Sequence, residues 1–166
     1  MDLERAYSEV GPKIVGYLVA TGTDEATARD LLHDAFARLV ARGVKPDDDV
    51  CALAFATARN LRANKVRDDS RLSVVECPED LDGRTTDGRQ ATAASDVTYL
   101  RARIAAALAT LPAALREAYT LYHVGERSVR EIAGLSGVSE NLVKVRLYRA
   151  KKALRKLLED LAIKTT

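Results

Sequence analysis

Glu140, Asn141, Lys144 and Arg149 bring hydrogen-bond acceptors, donors and positive charge close together on one stretch of chain. That chemistry suits the edges of nucleic-acid bases. A glutamate accepts from cytosine, and an asparagine grips adenine through its paired donor and acceptor. Arg146, Arg149, Lys151 and Lys152 suit phosphate contacts, which fix position and carry no sequence information. From Ser139 to Thr166 the cations are Lys144, Arg146, Arg149, Lys151, Lys152, Arg155, Lys156 and Lys164, opposed only by Glu140, Glu159 and Asp160. The whole chain carries a net charge of only +2, so this basic block is local. It points to a polyanionic partner, although composition alone supports a solvated helix face equally well.

The elements around these residues narrow the reading. Residues 128–147 read SVREIAGLSGVSENLVKVRL. Ser128 is an N-cap with Glu131 three residues on, the pattern of a capping box. Ile132 and Leu135 face inward. Gly137 stands where a helix must end in a sharp turn, and lacking a Cβ it accepts a positive φ. Val138 is an apolar plug, and Ser139 caps a second helix whose inner stripe is Leu142, Val143 and Leu147. This is the pattern of a helix-turn-helix, in which the second helix enters the major groove with its N-terminal residues toward the bases. Ser139, Glu140, Asn141, Lys144 and Val145 are then the candidate readers, with Arg146 and Arg149 behind them.

The first half also reads as helices. Leu3, Ala6, Tyr7 and Val10 recur at helical spacing, Gly11-Pro12 interrupts the pattern, and Pro12 opens a second helix ending near Gly22. Thr23 or Asp24 caps the next helix, with Ala28, Leu31, Leu32, Ala35, Phe36, Leu39 and Val40 as its apolar stripe and Gly43 at its end. Pro46 and Asp47, Asp48 and Asp49 begin another, whose buried face is Val50, Leu53, Ala54, Ala58 and Leu61. Its far end is basic: Arg59, Arg62, Lys65 and Arg67. Residues 71–96 carry no useful periodicity and read as a linker at a domain boundary. The expected fold is all-α: two small helical domains, 1–70 and 97–166, joined by a flexible linker, the second a helix-turn-helix domain.

Other classes find little support. No glycine-rich phosphate loop, nucleophile elbow or paired histidine–glutamate signature is present, so no catalytic residues and no cofactor are expected. His33 and His123, with Cys51 and Cys77, lack metal-ligand spacing, so no metal is expected either. Two cysteines make no disulfide framework and fit a reducing compartment. No apolar run is long enough to cross a bilayer, and the polar N-terminus is not a secretory signal; a cytoplasmic protein without membrane insertion is expected.

At residues 128–154 the sequence closely resembles the C-terminal DNA-binding region of extracytoplasmic-function (ECF) type RNA polymerase sigma factors. Leu111-Pro112, the stretch from Ala113 to His123, and Gly125 ahead of Ser128 fit the same pattern. In the first half, residues 28–39 (ARDLLHDAFARL) resemble the segment that binds the clamp helices of the polymerase largest subunit. Residues 58–67 (ARNLRANKVR) resemble the helix that opens and reads the downstream promoter element.

The resemblance implies a transcription initiation factor with two partners, core RNA polymerase and promoter DNA. Asp30, Leu31, Asp34, Phe36 and Leu39 would contact the polymerase. Arg59, Asn60, Arg62, Asn64, Lys65 and Arg67 would serve the downstream element, and Ser139, Glu140, Asn141, Lys144, Val145, Arg146 and Arg149 the upstream one. An inhibitory anti-sigma factor is a further partner expected by resemblance alone. The chain departs from the family where Leu53 replaces a frequent aromatic residue and Asn64 a frequent acid; Phe55 is the one aromatic residue near that site. Two other functions stay open at this point: a polymerase-independent helix-turn-helix regulator, which would bind duplex DNA alone, and a sigma-like decoy that titrates an anti-sigma partner.

Overall fold

The computed structural model describes residues 2–45, 47–73 and 96–163. Among them it holds seven helices and no strand: α1 (Leu3–Ala20), α2 (Glu25–Arg42), α3 (Val50–Ser73), α4 (Asp96–Thr110), α5 (Ala113–His123), α6 (Val129–Ser136) and α7 (Glu140–Ile163). The expected all-α class is the observed one.

The helix ends follow from local chemistry. Asp24 caps α2 by accepting from the Thr27 amide at 2.9 Å, and that hydrogen bond holds its carboxyl below the usual range. Asp49 accepts from the Ala52 amide at 3.0 Å, so the acidic run precedes α3 and does not lie within it. At α6 the capping box is complete: the Ser128 amide donates to Glu131 Oε2 at 2.7 Å, and the Glu131 amide donates to Ser128 Oγ at 3.2 Å. Gly137 then turns the chain at φ 65°, and Ser139 Oγ accepts from the Leu142 amide at 3.2 Å.

Three expectations need correction. Gly11-Pro12 does not break the first element; α1 runs through it as one helix of 18 residues. An interior proline costs about 3 kcal/mol through a lost hydrogen bond and a ring clash. Here Ala6, Val10, Ile14, Tyr17 and Leu18 form one unbroken buried stripe across it, and each large apolar side chain so buried contributes about 1.5–3 kcal/mol. The stripe outweighs the proline. Second, Leu142 is 39% exposed and not on the inner face of α7. The inner stripe is Val143, Ala150 and Leu154 with Leu147 half-buried, set one residue further round the helix. Third, the linker is shorter than its expected 71–96, because α3 continues to Ser73 and α4 begins at Asp96; the rest of it, with Cys77, lies outside the described residues.

One hydrophobic core joins both halves. Val10, Ile14, Leu32, Leu39, Ala54 and Phe55 from the first three helices cluster with Leu121 of α5, Ile132 and Ala133 of α6 and Val143 of α7. A smaller cluster of Ala107, Leu108, Leu111, Ala150 and Leu154 ties α4 to α7. Close backbone approach makes the join possible. A Cβ on Gly16 of α1 would stand 2.8 Å from Val124, and one on Gly125 would stand 2.8 Å from the Leu121 carbonyl and 3.1 Å from the Phe55 ring. No helix among the described residues is long and apolar enough to cross a membrane.

Candidate nucleic-acid interface

The caps at Ser128 and Ser139, with the turn at Gly137, orient α7 so that one face packs inward through Val143 while the opposite face meets solvent. Ser139, Glu140, Asn141, Lys144, Val145 and Arg149 are exposed there, and Arg146 is half-buried. The α7 row is therefore brought together on one surface at the N-terminal half of its helix. Tyr148, which the sequence reading passed over, is 67% exposed among these cations. An exposed aromatic beside arginine and lysine suits stacking or sugar contact.

The α3 row is divided. Asn60, Asn64, Lys65 and Arg67 are exposed, whereas Arg59 and Arg62 are half-buried and engaged. Arg62 Nη2 donates to the Thr21 carbonyl and so satisfies the C-terminal end of α1. Arg59 reaches across to α5, where its Nε donates to Glu117 Oε1 at 2.6 Å and its Nη2 to Glu117 Oε2 at 3.3 Å. Tyr17 Oη donates to the same Oε1 at 3.0 Å. Burial, and next the charge of Glu117, push the Tyr17 phenol well above its ordinary range, so it stays a neutral donor. The hydrogen bond to Glu117 likewise pushes the Arg59 guanidinium upward. Phe55 is fully buried, with the Arg127 guanidinium 4.9 Å from its ring centroid. In this arrangement it has no face to offer a base.

The α2 set is also split. Asp30 and Asp34 are exposed, but Leu31, Phe36 and Leu39 belong to the core. The apolar three hold the helix in place and the two carboxylates present its surface. Asp30 and Asp34 line a groove with Asn64 and Lys65, so that part of the α2 set and part of the α3 set share one surface. His33 stacks on Tyr7, with ring centroids 6.0 Å apart. Burial pushes the half-buried Cys51 thiol up, away from thiolate chemistry. The grouping around Glu117 carried no sequence signal, because Tyr17 and Arg59 lie far from it along the chain.

An exposed polar row at the start of a capped second helix completes the helix-turn-helix of the tail. Residues 101–154 match the family Sigma-70, region 4. The whole chain is similar to the ECF RNA polymerase sigma factor SigM of Bacillus subtilis, at 27% identity over 158 residues, covering 95% of each protein. It is 28% identical over 162 residues to the RNA polymerase sigma factor CarQ of Myxococcus xanthus, covering 96% of this chain and 91% of that one. In fold it is similar to the sigma factor RpoE of Bartonella quintana, solved in complex with the anti-sigma factor NepR: TM-score 0.72, 21% identity, 94% of this chain and 96% of that one. The chain is thus similar over nearly its whole length to sigma factors of the ECF type, and its residues 101–154 match their region 4.

Proposed function

We propose that this chain binds core RNA polymerase in the cytoplasm, directs it to specific promoters and aids their opening, with no covalent chemistry of its own. The observation that carries this reading is the complete, capped helix-turn-helix with Glu140, Asn141, Lys144 and Arg149 exposed along α7. Exposed readers near the N-terminus of a second helix suit the major groove, and the cations behind them suit phosphates. In this reading the α7 row serves the upstream element. Asn60, Asn64, Lys65 and Arg67 serve the downstream one, joined by Arg59 once it is released from Glu117. Asp30 and Asp34 meet the polymerase. Residues 1–70 and 97–166 act as its two DNA-reading units, and holding both on one polymerase raises the effective concentration of each at its element. An anti-sigma factor is the proposed inhibitory partner.

The test is run-off transcription with purified core polymerase over a promoter library. Defined transcripts that require this chain are expected. A chain that shifts duplex DNA equally well with and without polymerase would instead be a free-standing regulator, and one that yields no transcript but captures an anti-sigma protein would be a decoy.

A further inference from the structure

Val19 of α1 and Ile104 of α4 stay 43% and 38% exposed. Singly, an exposed apolar side chain needs no explanation, but these two line one groove of about 980 Å³. Its walls are two helix stripes: Gly16, Val19 and Ala20 on α1, and Ile104, Ala105 and Leu108 on α4. Val124, just past the end of α5, lies against Gly16 and closes the groove on that side. The charged lining is of one sign. Arg101 of α4 and Arg116 of α5 belong to it, and no carboxylate of the described residues does. Neither arginine has an ion-pair partner among the described residues. His123, about two turns on from Arg116 and so on the same side of α5, adds a ring nitrogen. Unpaired guanidinium groups beside apolar walls fit an anion with an apolar body, and the guanidinium fork matches a carboxylate. The volume stands at the upper end of small-ligand sites, which run to about 1,000 Å³. A helix about 10 Å across would fill the groove in roughly two turns, whereas an extended acyl chain is taken in whole. None of the residues assigned to DNA or polymerase lines the groove, so the inference is independent of the proposed function.

We propose that this groove binds a monomeric fatty acid, its chain lying between α1 and α4 along Val19, Ile104 and Leu108 and its carboxylate held by Arg101 and Arg116. The bound acid touches α1, α4 and α5 at once. A ligand with these contacts recognises the folded chain and not the unfolded one, so it raises stability by mass action.

The experiment uses the full chain, with decanoate, decylammonium and decan-1-ol each below the concentration at which it aggregates. Calorimetric titration reads affinity, and amide shifts in NMR spectra locate the ligand. Decanoate should shift Gly16, Val19 and Ile104, raise the melting temperature, and bind about tenfold or more tighter than decylammonium. Dodecanoate should bind tighter still, by about two- to fourfold per added methylene. Arg101→Gln with Arg116→Gln should weaken decanoate about tenfold and leave decan-1-ol unchanged. Ala105→Trp, at an exposed helix position, should fill the groove and abolish binding of both. Should that variant fail to fold, Ile104→Ser still decides, because it should weaken both ligands. Equal affinity for decylammonium, or shifts gathered elsewhere, overturns the assignment. So does a groove that ignores decanoate but shifts with an acidic amphipathic peptide, with phosphatidylglycerol vesicles, or with protein concentration alone; it would then be a surface for a protein, a membrane or a second copy.

Discussion

The ring of Phe55 lies fully buried on α3 with the guanidinium of Arg127 4.9 Å from its centroid, so a side chain of the first half and the loop ahead of α6 share one contact. Truncating it removes core volume and the seat of that arginine together. Phe55→Ala is expected to cost about 3–5 kcal/mol of unfolding free energy. Denaturant titration followed by circular dichroism measures this, and hydrogen exchange should show lost protection in α6 as well as α3.

Two glycines should respond with opposite signs. Gly125→Ala forces a methyl within 2.8 Å of the Leu121 carbonyl and 3.1 Å of the Phe55 ring, and the crowding should cost about 1–3 kcal/mol. Gly134 sits inside α6 with nothing within 4 Å of the added carbon, so Gly134→Ala should stabilise by about 0.5–1 kcal/mol. Thermal melts of the pair check both.

The capping box sets the entry of the helix-turn-helix. Ser128→Ala leaves the Glu131 amide without its acceptor and should destabilise by about 1 kcal/mol. Ser128→Asp, another good cap, should recover most of it in the same unfolding assay.

Acidity should loosen the corner at Glu126. Its hydrogen bond from Lys13, and next the charge of Lys13, hold its carboxyl below the usual range, with Arg127 adding to the effect. A carboxyl whose folded value is depressed stabilises the folded state above its unfolded pKa, and that contribution is lost as pH falls through the depressed value. The difference in melting temperature between wild type and Glu126→Gln should therefore be full at neutral pH and vanish on acidification. A difference that grew as the pH fell would contradict the pairing.

What was legible in the sequence is what short spacing encodes. Ser128 with Glu131, Gly137 in the left-handed turn and Asp24 ahead of α2 each act within a few residues, so pattern and structure agree. Pro12 reads locally as a helix break, and the buried stripe that overrides its penalty is visible only once the partner helices are in place. Leu142 reads as buried because neighbouring apolar residues on a helix leave its phase ambiguous until a partner surface chooses it. Leu31, Phe36 and Leu39 read as part of a docking face, but one helix cannot send the same side chains to both core and partner. The Arg59–Glu117 clasp spans 58 residues, and no periodicity encodes a pair at that distance.

The central claim is that the exposed row of α7 reads promoter DNA for a polymerase. It is tested most directly by reversing two charges, Lys144→Glu with Arg149→Glu, and measuring run-off transcription with core polymerase beside a core-binding assay. Both residues are exposed, so the helices should stand and core binding should persist. The account predicts that promoter-directed transcripts fall to background while the variant still binds core. Transcripts at wild-type levels from the same promoters would contradict it.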